Sequence, residues 1–418
     1  MNRKQLALAI SLALASPLAM AAVSDAEFQA LRDSVAALNQ KLADMEQQLA
    51  AEKARNAQAA TPPAAVAAVP GAAASGPAAS SWADKVSLQG DFRMRYENID
   101  QEYRDERNRE RIRARLALAA RPQDNLEVGF GLSTRQDGDP VSGNQTLGNG
   151  GSGKSIYLDL AWFDWTARPG LHVLGGKFRN NLYRPGRNAL IWDPDLNPEG
   201  FGLSYSDGRF FANLLGTWLE SDSDGNKAFA AGGQLGLAWP VTDGVKLTLG
   251  AGYYDLNTAG KGAFYVVSGK PARYYGNSVD GGGRYRYDYR ELEGFAELGF
   301  RLLGLPASVF VDHVRNLDAD AFDTGWAAGA QLGAAKARGS WELSYAYQDL
   351  ERDAVFGLWT DSDVGGGGTD NRGHILRGAY ALTGRTSMAF AYFINETGRN
   401  QGSRADYDRL QLDLNFRY

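Results

Sequence analysis

The sequence predicts an all-β fold: a transmembrane, antiparallel β-barrel of about sixteen strands, preceded by a short periplasmic coiled-coil helix. Three observations predict it. From Leu410 onward the apolar side chains occupy every second position (Leu410, Leu412, Leu414, Phe416, Tyr418), with Arg409, Gln411, Asp413, Asn415 and Arg417 between them. That period of two belongs to a strand. Short turn-like links alternate along the chain with longer, polar, glycine-rich ones, the layout of a barrel with turns at one rim and loops at the other. The chain also opens with the features of an export signal.

That signal spans residues 1–21. Arg3 and Lys4 precede an apolar run from Leu6 to Leu14, and Ala19, Met20 and Ala21 make an A-x-A cleavage site. The run is shorter than the roughly 20 residues a spanning helix needs, so an exported chain without a membrane helix is expected.

Residues 22–57 read as a coiled coil, because Phe28, Leu31, Val35, Leu38, Leu42, Met45 and Leu49 are spaced alternately by three and four with polar residues between them. An amphipathic helix lying on the protein's own surface would share this pattern. Residues 58–81 are almost entirely Ala, Pro, Gly, Ser and Val, too small and too rich in proline to fold, and form a linker.

Residues 82–418 are the expected barrel. Val86, Leu88, Gly90, Phe92, Met94 and Tyr96 share one face of the first strand, with Ser87, Gln89, Asp91, Arg93, Arg95 and Glu97 on the other. The second strand sets Ile112, Ala114, Leu116 and Leu118 against Arg111, Arg113 and Arg115, and the pattern recurs to the last strand. A soluble β-protein would also alternate; the signal and the turn-and-loop rhythm favour the membrane. There the apolar face meets outer-membrane lipid, and Phe416 and Tyr418 are expected to serve assembly from the interfacial girdle. The mean hydropathy of -0.37 fits, since only alternate residues meet lipid.

Composition narrows the function. The chain has 50 glycines, no cysteine and a formal net charge of -5. No disulfide scaffold, thiolate metal site or nucleic-acid partner is expected, and no cofactor is implied. Gly148 to Ser155 fits the phosphate-loop pattern G-x-x-x-x-G-K-[ST], but a predicted strand follows it where that motif requires a helix. His172, His313 and His374 are scattered, and no serine sits in a G-x-S-x-G elbow, so no enzyme is expected.

The third loop, Arg179 to Glu199, carries the densest charge. Asp193, Asp195 and Glu199 stand among Lys177, Arg179, Arg184 and Arg187. If it folds inward, its carboxylates would face guanidinium groups across a constriction; otherwise they pair locally on a wet surface. With Gly176-Lys177 before it, the run Trp192-Asp193-Pro194-Asp195-Leu196-Asn197-Pro198-Glu199-Gly200 resembles a motif of the bacterial putative-porin family, Trp-Asp-x-Asp-Leu-x-Pro-Glu-Gly after a strand ending in Gly-Lys. In many sixteen-stranded porins the third loop narrows the lumen, and this segment resembles such a loop in place and length. Family members carry a signal peptide, often a short coiled coil, and a barrel. The resemblance thus implies an outer-membrane porin for passive diffusion of small hydrophilic solutes or ions, with a homo-oligomer, a trimer, as its expected assembly.

Arg93, Arg95, Arg111, Arg113 and Arg115 fall on the presumed lumenal face, beside Arg409 and Arg417 once the barrel closes, and rings of arginine favour anions in pores. Asp91, Glu97, Glu110 and Glu127 are near enough to neutralise several, so anion preference stays open. A second functional reading is a structural or adhesive outer-membrane protein whose coiled coil contacts the periplasm or cell wall while the barrel anchors it.

Overall fold

The computed structural model describes residues 85–418 and, ahead of them, Gln40 alone. The export signal, the coiled-coil seam and the linker otherwise lie outside the described residues.

Sixteen antiparallel strands form a closed wall. They are β1 Val86–Gln101, β2 Arg107–Gln123, β3 Leu126–Thr134, β4 Ile156–Arg168, β5 Leu171–Lys177, β6 Glu199–Ser206, β7 Phe210–Glu220 and β8 Ala228–Thr242, then β9 Val245–Leu256, β10 Tyr289–Leu302, β11 Leu305–Asn316, β12 Thr324–Gly333, β13 Trp341–Leu350, β14 Asn371–Ala381, β15 Thr386–Thr397 and β16 Ala405–Arg417. Each pairs with its neighbours in sequence, and β1 pairs with β16 from Asp91↔Arg417 to Gln101↔Tyr407, which leaves no open edge there. A further two-residue segment, Gln145–Thr146, adds to β2 above β3 without joining the wall.

Seven turns link the strands at one rim, the longest spanning residues 334–340, and eight loops link them at the other. The loops that matter below are the second (135–155), third (178–198), fifth (257–288) and seventh (351–370). Because the number of strands is even, Val86 and Arg417 both lie at the turn rim.

The alternation places the expected faces. Leu88, Met94, Leu235, Leu249, Met388 and Leu412 stand exposed on the outside, while Glu97, Arg111, Gln234, Glu293 and Gln411 are buried inside. Exposed aromatics ring both rims: Tyr157, Trp218, Tyr253 and Trp326 towards the loops, and Trp165, Trp239, Trp341, Tyr380 and Tyr418 towards the turns. Two such belts around an apolar band mark where a bilayer meets water.

The hydrophobic core sits inside the barrel. Leu190, Ile191 and Trp192 of the third loop pack with Val355, Phe356 and Trp359 of the seventh, and with Tyr254 and Tyr289 of the wall. Two inward loops can therefore bury side chains on each other as well as on strands.

Candidate pore constriction

The basic residues of β1, β2 and β16 converge because the register stacks them. Arg93 is opposite Arg113, Arg95 opposite Arg111 and Asp91 opposite Arg115. Such crowding stands only with carboxylates interleaved. Asp91 accepts from Arg113 at 3.0 Å and Arg115 at 2.7 Å, and Asp413 of β16 accepts from Arg95 at 2.6 Å. Glu97, fully buried, is held by Arg109 and by Arg409 at 2.5 Å, with Arg111 at 3.7 Å.

The third loop crosses from β5 to the opposite wall. Glu297 of β10 accepts from the Tyr183 hydroxyl at 2.6 Å and from the Gly186 amide at 2.9 Å. Gly186 has a φ of 56° and lies on the Phe310 ring, so both its backbone and its surroundings exclude a side chain. Asn188 donates to Asp312 of β11 at 2.9 Å, and Arg187 reaches Glu342 of β13 at 2.6 Å.

From that anchorage the loop returns to the basic wall. Asp195 meets Arg113 at 3.3 Å and Arg115 at 3.1 Å, while its backbone carbonyl accepts from Arg135 at 2.9 Å. Burial alone would raise the Asp195 carboxyl, but Arg113 and Arg115, with Arg93 and Arg135 behind them, hold it below the usual carboxylate range.

The seventh loop completes the constriction, and no charge motif or resemblance in the sequence pointed to it. Its partner is the third loop: the Asp193 amide donates to the Trp359 carbonyl at 2.7 Å, and the Asp361 amide to the Ala189 carbonyl at 3.1 Å. The Ser362 amide donates to the Asp193 carboxyl at 3.0 Å, and the Trp192 and Trp359 rings lie 5.4 Å apart. Asp363 then reaches the basic wall, 2.7 Å from Arg409 and 3.6 Å from Arg95. Against the effect of burial, those two arginines hold its carboxyl below the usual range.

The third-loop residues thus separate into distinct roles. Asp195 faces the arginines, whereas Asp193 is locked between the loops, its carboxyl pushed up by burial and by the nearby charges of Asp195 and Asp361. Arg184 donates to the Trp192 carbonyl at 3.4 Å, and Arg179 lines the cavity on the turn side. Glu199 starts β6 on the same face as the exposed Phe201 and pairs outside the lumen with Lys177 at 2.6 Å.

Water-sized space remains on both sides of the clasped loops. Towards the loop rim a cavity of about 580 Å³ is lined by seven cationic side chains, among them Arg104, Arg107, Arg109 and Arg273, against the three carboxylates of Asp137, Asp139 and Asp363. Towards the turn rim, cavities of about 480 and 350 Å³ follow the same wall past Arg115, Arg121 and Arg179.

The family model for a putative porin matches residues 99–267 and 293–418, most of the described chain. The chain belongs to the putative porin family. Its fold is similar to that of Pseudomonas putida OprB at high pH, with a TM-score of 0.54 and 13% identity over 80% of this chain and 95% of that one. Salmonella typhi OmpF in complex with daunomycin aligns at a TM-score of 0.49 and 11% identity, covering 80% of this chain and 97% of that one. No curated protein matches the chain. Membership in the family and the barrel architecture make it an outer-membrane porin channel.

Proposed function

We propose that this porin is an anion-preferring diffusion channel for small hydrophilic solutes. The observation that carries the reading is an asymmetry between the two walls. Glu291, Glu293 and Asp312 on β10 and β11 are only 1%, 3% and 2% exposed, because the third and seventh loops lie over them. On the arginine wall opposite, Arg95, Arg111 and Arg409 are as buried, at 5%, 6% and 3%, but their neighbours stay open: the Arg115 side chain is 36% exposed beside the turn-side cavity, and Arg107 and Arg109 line the loop-side one. A permeating ion therefore meets guanidinium groups while the acidic wall is spent on holding protein, and in a narrow low-dielectric passage such charges act strongly.

In this reading the turn rim faces the periplasm, and the coiled-coil seam from Phe28 to Leu49 serves there either to join copies as a trimer or to contact the cell wall. Discrete conductance steps in a planar bilayer, with a reversal potential on the anion side under a potassium chloride gradient, are the expected result. A cation-selective potential overturns the anion preference, and an absence of steps returns the barrel to the role of an anchor. Native mass spectrometry of the intact chain reads the trimer directly.

A further inference from the structure

On the loop side of the clasp the arginines outnumber the groups that could neutralise them. The parity of β2 sets Arg107, Arg109 and Arg111 on one face, and all three line the cavity of about 580 Å³. Glu97 is shared by Arg109, Arg111 and Arg409, and Arg111 lies 3.7 Å from it with a buried Nε that has no acceptor. The carboxylates of the lining are already engaged: Asp137 with Lys270 at 2.9 Å, Asp363 with Arg409 at 2.7 Å, and Asp139 with the Val141 amide at 3.0 Å. Among the described residues no carboxylate pairs with Arg107, with Arg104 of the first loop or with Arg273 of the fifth.

The fifth loop brings Arg273 to this cavity by docking on two others. Its Tyr265 hydroxyl donates to the Asp137 carbonyl of the second loop at 3.1 Å, and its Tyr275 carbonyl accepts from the Thr369 amide of the seventh at 2.8 Å. The Arg273 guanidinium lies over the Tyr275 ring, 4.8 Å from the centroid. Held there, it keeps N–H groups free for an oxyanion, which a guanidinium fork can bind through two charge-assisted hydrogen bonds.

We infer that this cavity is a binding site for polyanionic solutes, small molecules that carry two or more phosphate or carboxylate groups, and that it captures them before they meet the clasp. The inference rests on the anion-preferring reading and adds to it the class of solute. Seven cations against three carboxylates leave an excess of four positive charges, more than one oxyanion group offsets. Arg104, Arg107 and Arg273 stand on three separate elements, so they can engage separate oxyanions of one solute. The volume lies in the usual range for a small-molecule site and exceeds what a single small anion fills. A cleft lined by one sign of charge also concentrates counter-ions at its mouth, whereas an uncharged solute leaves these guanidinium groups without counter-charge.

The test uses the full-length porin in a planar bilayer with equal potassium chloride on both sides. Inorganic pyrophosphate or citrate, added on the side of the loops, should reduce the chloride current with a saturating dose dependence, at a lower concentration than from the turn side. Acetate, with one oxyanion group, should need several-fold more. Arg107→Gln and Arg273→Gln should each raise the half-blocking concentration of both probes several-fold. Arg104→Gln repeats the comparison from a third element should either variant lose its heat-modifiable folded band, and the acetate comparison needs no variant. Pyrophosphate stronger than citrate supports a site for phosphates, and the reverse order one for carboxylates. A block that does not saturate, that acetate matches, or that the folded variants leave unchanged overturns the site. The reversal potential under a potassium chloride gradient, read on the same channels, separates the two readings: an anion-side value without block overturns the site alone, and a cation-side value overturns the anion preference beneath it.

Discussion

Tyr418 and Gly90 exchange both backbone hydrogen bonds, each 3.1 Å long, and the tyrosine ring occupies the space where a side chain on residue 90 would stand. The pair extends the β1–β16 seam by one more rung on the lipid-facing side, with the Tyr418 hydroxyl donating to the Arg115 carbonyl at 3.3 Å. An aromatic laid over a strand glycine covers backbone that would otherwise be bare. Gly90→Leu should displace the ring and destabilise the folded barrel by about 1–3 kcal/mol, the usual cost of overfilling a packed site. Tyr418→Ala should slow assembly instead, by uncovering the seam. Urea titration of the first and the heat-modifiable band of the second read these effects; unchanged behaviour in both would mean the seam closes without the pair.

The two faces of the wall should respond oppositely to charge. Leu412→Arg puts a cation against hydrocarbon and should cost about 2–4 kcal/mol if it lies near the midplane. Ala119→Arg puts one into the cavity at the turn rim, where water receives it, and should cost little. Gln411, although it faces inward, is a poor control: it is 2% exposed and donates to Glu97 at 3.3 Å, so an arginine there would strain the buried ionic cluster. Equal urea midpoints for the Leu412 and Ala119 variants would show the faces to be assigned wrongly.

Selectivity should follow the carboxylates that touch the basic wall. Neutralising Asp195 or Asp363 as Asn removes one of the carboxylates that face Arg113 and Arg115, or Arg95 and Arg409, and should move the reversal potential further towards anions. Replacing Arg113 and Arg115 together by Gln should move it towards cations. Asp193→Asn should leave the potential nearly unchanged, because burial and the neighbouring Asp195 and Asp361 already favour the neutral form of that carboxyl, which is locked between the loops. A large shift from Asp193→Asn would place it in the ion path.

The clasp between the loops should weaken as pH rises. Asp193 is protonated more readily in the folded chain than in the unfolded one, so its contribution is complete in acid and is lost as pH climbs through its raised value. Asp195 and Asp363 have the opposite sign: their contribution is present above the ordinary carboxylate pKa, about 3.9, and is lost as pH falls towards their depressed values. Hydrogen-exchange protection at the Ser362 amide should therefore decline on the alkaline side in the wild type and stay flat there in Asp193→Asn. Equal decline in both would assign the loosening to another group.

Trp359 ties the same clasp apolarly. Trp359→Ala removes a ring packed on Trp192 and Phe356 and should cost about 3–5 kcal/mol locally. The wall ladders do not depend on it, so the barrel band on gels should persist while single-channel conductance rises. Loss of the folded band would make the loop core a condition for the barrel itself.

Strand alternation, the turn-and-loop rhythm and the number of strands could be read from the sequence because each is local: a period of two assigns every side chain to lipid or lumen once the strand is known. The basic wall was legible for the same reason, since Arg93, Arg95, Arg111, Arg113 and Arg115 share a parity. The tertiary structure alone decided which charges oppose them. Asp193 and Asp195 are two residues apart in one motif, yet one is shut between loops and the other meets the arginines, a difference made by the Trp359 carbonyl and the Ser362 amide more than 160 residues away. The seventh loop carried no periodic signal, because an irregular segment declares its partners only through contacts that closure of the barrel creates. The burial of the acidic wall under those loops was not legible either: alternation gives the face of a strand, and only packing determines whether that face meets water.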